Sequence, residues 1–195
     1  MWFEVCFGER ELRLSVRPEP AALPSGIRVD LPGHLRRREI PAEWIRDADG
    51  GAFPPEIRTM DGETLFVPRS LEGDLAAFCA RNGIAMRARY DVWGDLLEPY
   101  LDTEFTVSDE QAAAARLAAV GLDSAAVEAV RQRVGPAVYE YNFNVPMWDD
   151  FHLGLADLLD TYTARWAGEA ALRRLGPPYE VYVWAMRIAE LGRGG

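Results

Sequence analysis

A change of hydrophobic period near residue 70 constrains this chain more than any other feature. Before it, short apolar runs alternate with turn residues. "MWFEVCF" and "RELRLSV" flank "GE", a hairpin pattern, and "IRTMDGETLFV" sets Asp61-Gly62 between two apolar runs, the dipeptide typical of a two-residue type I′ turn. Pro-rich loops at "RPEPAALPSG" and "GGAFPPE" interrupt the strands, and "IPAEWIRDA" predicts a short helix with Pro41 in its first turn. After residue 70 the apolar residues recur at helical spacing. "SLEGDLAAFCARNG" runs from an N-cap at Ser70 to a C-cap at Gly83. "SDEQAAAARLAAVG" carries a capping-box pattern, Ser108 with Gln111, and ends at Gly121, while "DSAAVEAVRQRVG" spans Asp123 to Gly135. The predicted fold is α+β, with a small N-terminal antiparallel sheet packed on a C-terminal helical layer. No repeat or low-complexity linker separates the two parts. A single domain over 1–195 is therefore expected, β-rich over 1–69 and mainly helical over 70–195.

The basic residues exclude several chemistries. All 21 are arginine, and without lysine there is no P-loop lysine, Schiff base or kinase-type phosphate lysine. A net charge of −10 repels nucleic acid and anionic membrane surfaces. Arg36, Arg37 and Arg38 lie beside Glu39 and Glu43 and read as a solvated or salt-bridged face. The helical pair around Gly121 resembles a helix-turn-helix only generically, because its second helix offers Asp123, Glu128, Arg131, Gln132 and Arg133, a near-neutral set. Neither nucleic acid nor membrane is expected as a partner. The opening residues lack a basic segment followed by a long apolar core, and no apolar run reaches the roughly 18 residues of a membrane span, so a cytoplasmic location is expected. Cys6 and Cys79 form no CxxC or Cys/His framework and read as reduced, packed thiols. No cofactor and no metal are expected.

Two stretches carry the candidate chemistry. Residues 91–110 hold Asp91, Asp95, Glu98, Asp102, Glu104, Asp109 and Glu110 with no arginine. A helix over 91–102 would align the first four acids as one carboxylate stripe, turn Val92, Trp93, Leu96, Leu97, Tyr100 and Leu101 to the core, and kink at Pro99. Such a stripe reads first as a solvated face, and otherwise as a cation site or a docking strip for an arginine-rich partner; the EF-hand spacing is missing. In "MWDDFHLGLADLLDTYTARW" a helix begun after Pro146 places His152 within an apolar stripe of Trp148, Phe151, Leu155, Leu158, Leu159 and Tyr162. That predicts a core histidine with satisfied nitrogens. Asp149-x-x-His152 echoes the acid-x-x-His step of di-iron bundles but lacks a second such motif, His34 being the other histidine.

No G-x-S-x-G elbow is present, Ser70, Ser108 and Ser124 read as caps or helix starts rather than nucleophiles, and Cys79 with His152 has no motif around it. The enzymatic alternative makes His152 a general base or acid, tuned by one carboxylate of the 91–104 segment or by Asp149, with Asp149 as the catalytic partner and Tyr141, Asn142, Asp95 and Glu98 as ligand-binding residues. The leading expectation is a non-catalytic binding or protein-interaction module using acidic and aromatic surfaces. The alternative is a small hydrolase or metal-assisted enzyme with His152 and nearby carboxylates at its site. The final segment, "PPYEVYVWAMRIAELG", predicts a helix apolar around most of its circumference, which must be buried by its own chain or by a second copy. A protein partner or a homodimer follows as the expected association.

Overall fold

The computed structural model of the chain describes residues 3–16, 39–101, 106–144, 152–162 and 167–194. The fold class is α+β, and the chain divides into two compact units, Met1–Arg89 and Tyr90–Gly195.

The first unit begins with β1 (Phe3–Phe7) and β2 (Glu11–Val16), whose alternating pattern pairs them antiparallel across a turn closed by Gly8 N–H donating to Glu11 O at 2.9 Å. β3 (Glu39–Pro41) adds antiparallel to β2, placing Leu12 opposite Ile40, both buried. A second sheet follows from β4 (Ile45–Asp49), β5 (Glu56–Thr59), β6 (Thr64–Phe66) and β7 (Ala85–Met86), ordered β6-β5-β4-β7. β4 to β6 form an antiparallel meander; β7 joins β4 in parallel after the crossover helix α1 (Glu72–Asn82). α1 buries Leu75, Phe78 and Cys79, and the Phe78 ring tilts onto Phe7 at 5.4 Å. It ends at Gly83 in the left-handed region, φ 67°, as the C-cap reading expects.

Three local expectations change here. "IPAEWIRDA" is one 3₁₀ turn, Ala42–Trp44, followed by β4, because Ile45, Asp47 and Ala48 gain ladder partners and burial that an isolated short helix cannot match. The Asp61-Gly62 hairpin closes with three residues, not two. Thr59 pairs with Glu63, and Gly62, at φ 86°, donates to Thr59 O at 3.1 Å. Ser70 lies in the 3₁₀ turn Arg69–Leu71, and Leu71 is the N-cap of α1.

Beneath the second sheet lies an ionic cluster. Arg58 is 2% exposed, and its Nε donates to Asp47 Oδ1 and its Nη2 to Arg87 O. Its Nη1 lies 3.6 Å from Glu56 and 3.9 Å from Asp49. Arg46 reaches Asp47 at 3.1 Å, Arg89 reaches Glu56 at 2.8 Å, and the Arg89 amide donates to Asp49 at 3.1 Å. Removing one member leaves buried charge uncompensated.

In the second unit α2 (Val92–Leu97) turns Val92, Trp93, Leu96 and Leu97 inward, as the apolar spacing predicts, and Pro99 falls in a 3₁₀ turn, Glu98–Tyr100, where a kink is expected. Around it pack α3 (Val107–Ala119), α4 (Ser124–Asn144) and α7 (Pro178–Glu190), with α6 (Glu169–Leu175) against α4 and α5 (Leu155–Asp160) against α4 and α7. Trp93 is 1% exposed; its Nε1 donates to Ala185 O at 3.0 Å and its ring meets Trp184 edge-on. α7 is helical and buries Val181, Ala185, Met186, Ile188 and Ala189. No helix among the described residues is long and apolar enough to cross a membrane.

Two helix boundaries differ from the sequence reading. The capping box of α3 is Thr106 with Asp109, two residues before Ser108 and Gln111. α4 does not stop at Gly135 but runs through it and Pro136 to Asn144. Gly135 serves close approach: a Cβ there would lie 2.5 Å from the Tyr100 hydroxyl, which donates to Arg131 O at 2.9 Å.

Arg58→Met is expected to destabilise the protein by about 3–5 kcal/mol in denaturant melts.

Candidate functional site

The site grows from the N-terminus of α2. Asp91 is its N-cap, with Oδ1 accepting from Gly94 N–H at 2.9 Å. The second oxygen, Oδ2, accepts from His152 Nε2 at 2.9 Å. His152 is not in a helix: residues 152–154 precede α5, which starts at Leu155 after an extended Gly154, and the His152 side chain is 36% exposed. The core reading of His152 is thereby corrected. Leu153, Leu155 and Leu158 are buried, but Gly154 and an N-cap centred on it interrupt the helical register that would have aligned His152 with them.

Gly154 N–H donates to Asp157 Oδ2 at 2.8 Å, so Asp157 closes the first turn of α5. Burial pushes the Asp157 carboxyl up to about 6, against the opposing pull of the Gly154 hydrogen bond and of His152. Asp160, one turn on, accepts from the Tyr141 hydroxyl at 3.3 Å.

Asp95 is buried rather than solvated. Arg116 of α3 grips it with two parallel bonds, both 2.8 Å, and the Tyr90 hydroxyl donates to it as well. Burial and the Asp95 hydrogen bond raise the Tyr90 phenol well above its ordinary range. Arg131 of α4 donates to the carbonyls of Asp95 and Leu96, both at 3.1 Å.

These residues surround an open cleft of about 340 Å³, lined by Tyr90, Asp91, Asp95, Glu98, Arg116 and His152, with Leu101 and Leu153 as apolar wall. Three sequence-predicted site residues, His152, Asp95 and Glu98, therefore meet in one place. Tyr141 and Asn142 do not line it: Tyr141 is buried against Asp160, and Asn142 Nδ2 donates to Tyr100 O at 2.9 Å. Asp149 lies outside the described residues. The partner of His152 comes from 61 residues away in sequence, Asp91, one of the 91–104 carboxylates that the sequence offered to tune it. Asp91-x-x-Gly94 and Gly154-x-x-Asp157 are the local signals, each an acid three residues from a glycine amide at a helix start.

The first unit offers a larger groove of about 950 Å³ near Glu9, Arg10, Glu43 and Arg81. Its two acids and two bases balance. Among the described residues no group of three or more His, Cys, Asp or Glu side chains is arranged to hold a metal ion. Compared with known protein families, with curated proteins and with solved structures, the chain gives no match. The reading of the cleft rests on its own chemistry.

Asp157 yields a pH signature of defined sign. Its folded carboxyl titrates near 6 and an unfolded one near 3.8, so the folded state binds the extra proton between those values. Stability attributable to this group is lost as pH rises through 6 and regained as pH falls toward 4. Discounted for partial exposure, the change is about 1–2 kcal/mol. Denaturant melts from pH 7 to 4 are expected to show Asp157→Asn losing that part of the pH dependence, since the amide oxygen still accepts from Gly154.

Proposed function

We propose that the chain is a protein-interaction module acting in the cytoplasm, and that its second unit takes a cationic group of a partner into the cleft bounded by Asp91, Glu98 and His152. One observation carries this reading. Arg116, a guanidinium lining the cleft, is committed to Asp95 through two nitrogens, so the Glu98 carboxylate on the same wall stands beside a cation whose charge is already engaged. A guanidinium or ammonium entering there exchanges water for two carboxylates on an apolar wall. The stacked Tyr139 and Phe143 of α4, 61% and 78% exposed with rings 6.2 Å apart, supply an aromatic surface of the kind that anchors protein partners.

Calorimetry with short arginine-containing peptides, against the same peptides carrying citrulline, tests the reading. Binding of the arginine form alone is expected, weakened about 2–5-fold by Glu98→Gln and reduced by added salt. Equal binding of both forms, or of neither, would sink it.

The His152–Asp91 pair favours a second reading, hydrolysis with His152 as general base on a water, because a carboxylate on one imidazole nitrogen fixes the ring. No serine, threonine or cysteine lines the described part of the cleft, so the nucleophile would be water. Turnover of chromogenic esters or phosphomonoesters, lost in His152→Gln, would support it; no turnover of any of them, with or without added divalent metal, counts against it.

A further inference from the structure

Residues 152–154 lead into α5, and Asp91 to Gly94 form the first turn of α2; the imidazole and carboxylate join these two stretches. The seam is sterically close. A Cβ on Gly94 would lie 2.9 Å from Asp91 Oδ2 and 3.1 Å from His152 Cε1, and one on Gly154 would lie 3.1 Å from His152 Nε2. Glycine on both sides lets the backbones approach the pair. Asp91 performs two tasks at once, capping α2 with one oxygen and receiving His152 with the other.

Nε2–H can donate to Asp91 in both protonation states of the ring, but only the imidazolium adds ionic attraction, which roughly doubles the strength of such a bond. Histidine is also the side chain that ordinarily changes charge between pH 5 and 8. We propose that His152 and Asp91 form a proton-controlled clasp: proton uptake at His152 tightens the seam between 152–154 and α2, and proton loss slackens it. Loss of the proton also restores the charge of Asp91 to the cleft. The groups facing the ring are Asp91 of α2, Asp95 of α2 with its partners Tyr90 and Arg116 of α3, Glu98 of the following turn, and Asp157 of α5. Of these, Asp95 is neutralised by the Arg116 guanidinium. The clasp stands whether or not the cleft takes a ligand.

Nuclear magnetic resonance on the full chain, with His34→Gln so that one imidazole remains and Asp157→Asn so that the group accepting from the Gly154 amide does not titrate, tests the clasp directly. Between pH 5 and 8 the amide signals of Gly94 and Gly154 are expected to move with the midpoint of the His152 ring signals. Asp91→Asn should leave the ring titrating and abolish the amide response. Glycine amides indifferent to the ring's titration would overturn the proposal. A double-mutant cycle of His152→Gln with Asp91→Asn provides a second measurement. Non-additivity of about 2–4 °C in melting temperature is expected at pH 5.5, shrinking at pH 8. Equal non-additivity at both pH values, or none at pH 5.5, would refute it. His152→Gln removes an opposing pull on Asp157, but that change enters both proteins that carry the substitution and cancels in the cycle.

Discussion

The grip of Arg116 and Arg131 on α2 holds the second unit in order. A helix of six residues has no stability of its own in water, because the cost of nucleation exceeds what so few backbone bonds return. α2 is therefore fastened from outside at each end. Asp91 satisfies an amide at its start, Arg131 satisfies the carbonyls of Asp95 and Leu96 at its end, and Arg116 neutralises Asp95 between them. Each guanidinium engages two oxygens in one plane, which an ammonium cannot reproduce. In a chain whose 21 basic residues are all arginine, this geometry is available at every such position.

The same fork organises the first unit. Arg58 reaches Asp47, Glu56, Asp49 and the carbonyl of Arg87 from a single buried side chain, tying neighbouring strands to the segment that follows β7. Buried ionic clusters add less stability than apolar packing of the same volume but penalise a displaced strand severely. Fixing strand register is a natural role for this one, since β7 offers only two ladder positions of its own.

Periodicity revealed what depends on neighbours in sequence. The first hairpin, the inward face of α2, the kink at Pro99, the C-cap at Gly83 and the helical character of 178–190 were all legible because each follows from local spacing or from one residue's backbone preference. Where distant partners decide, spacing misled. β4 carries a helix-compatible pattern, yet strands on both sides claim it. Gly135 looks like a stop, yet Tyr100 needs its missing side chain. His152 fits an apolar stripe, yet Gly154 starts the helix later. Three residues of the cleft could be named from the sequence, and a carboxylate of 91–104 could be offered to His152, but that it is Asp91 could not be read, since nothing local joins positions 61 residues apart.

α2 faces two ways. Val92, Trp93, Leu96 and Leu97 fill the interior while Asp91 and Asp95 line the cleft, so core and cleft are the two sides of less than two turns of one helix. Anything gripping Asp91 from the cleft grips the cap on which that helix depends. Occupancy would then be written into the unfolding curve, because a ligand that binds only the folded form stabilises it by RT ln(1 + L/Kd), with L the free ligand concentration, and raises the melting temperature accordingly. The protein thus carries its own reporter, and heat resistance measured across a collection of small cations would rank them without any assay of activity.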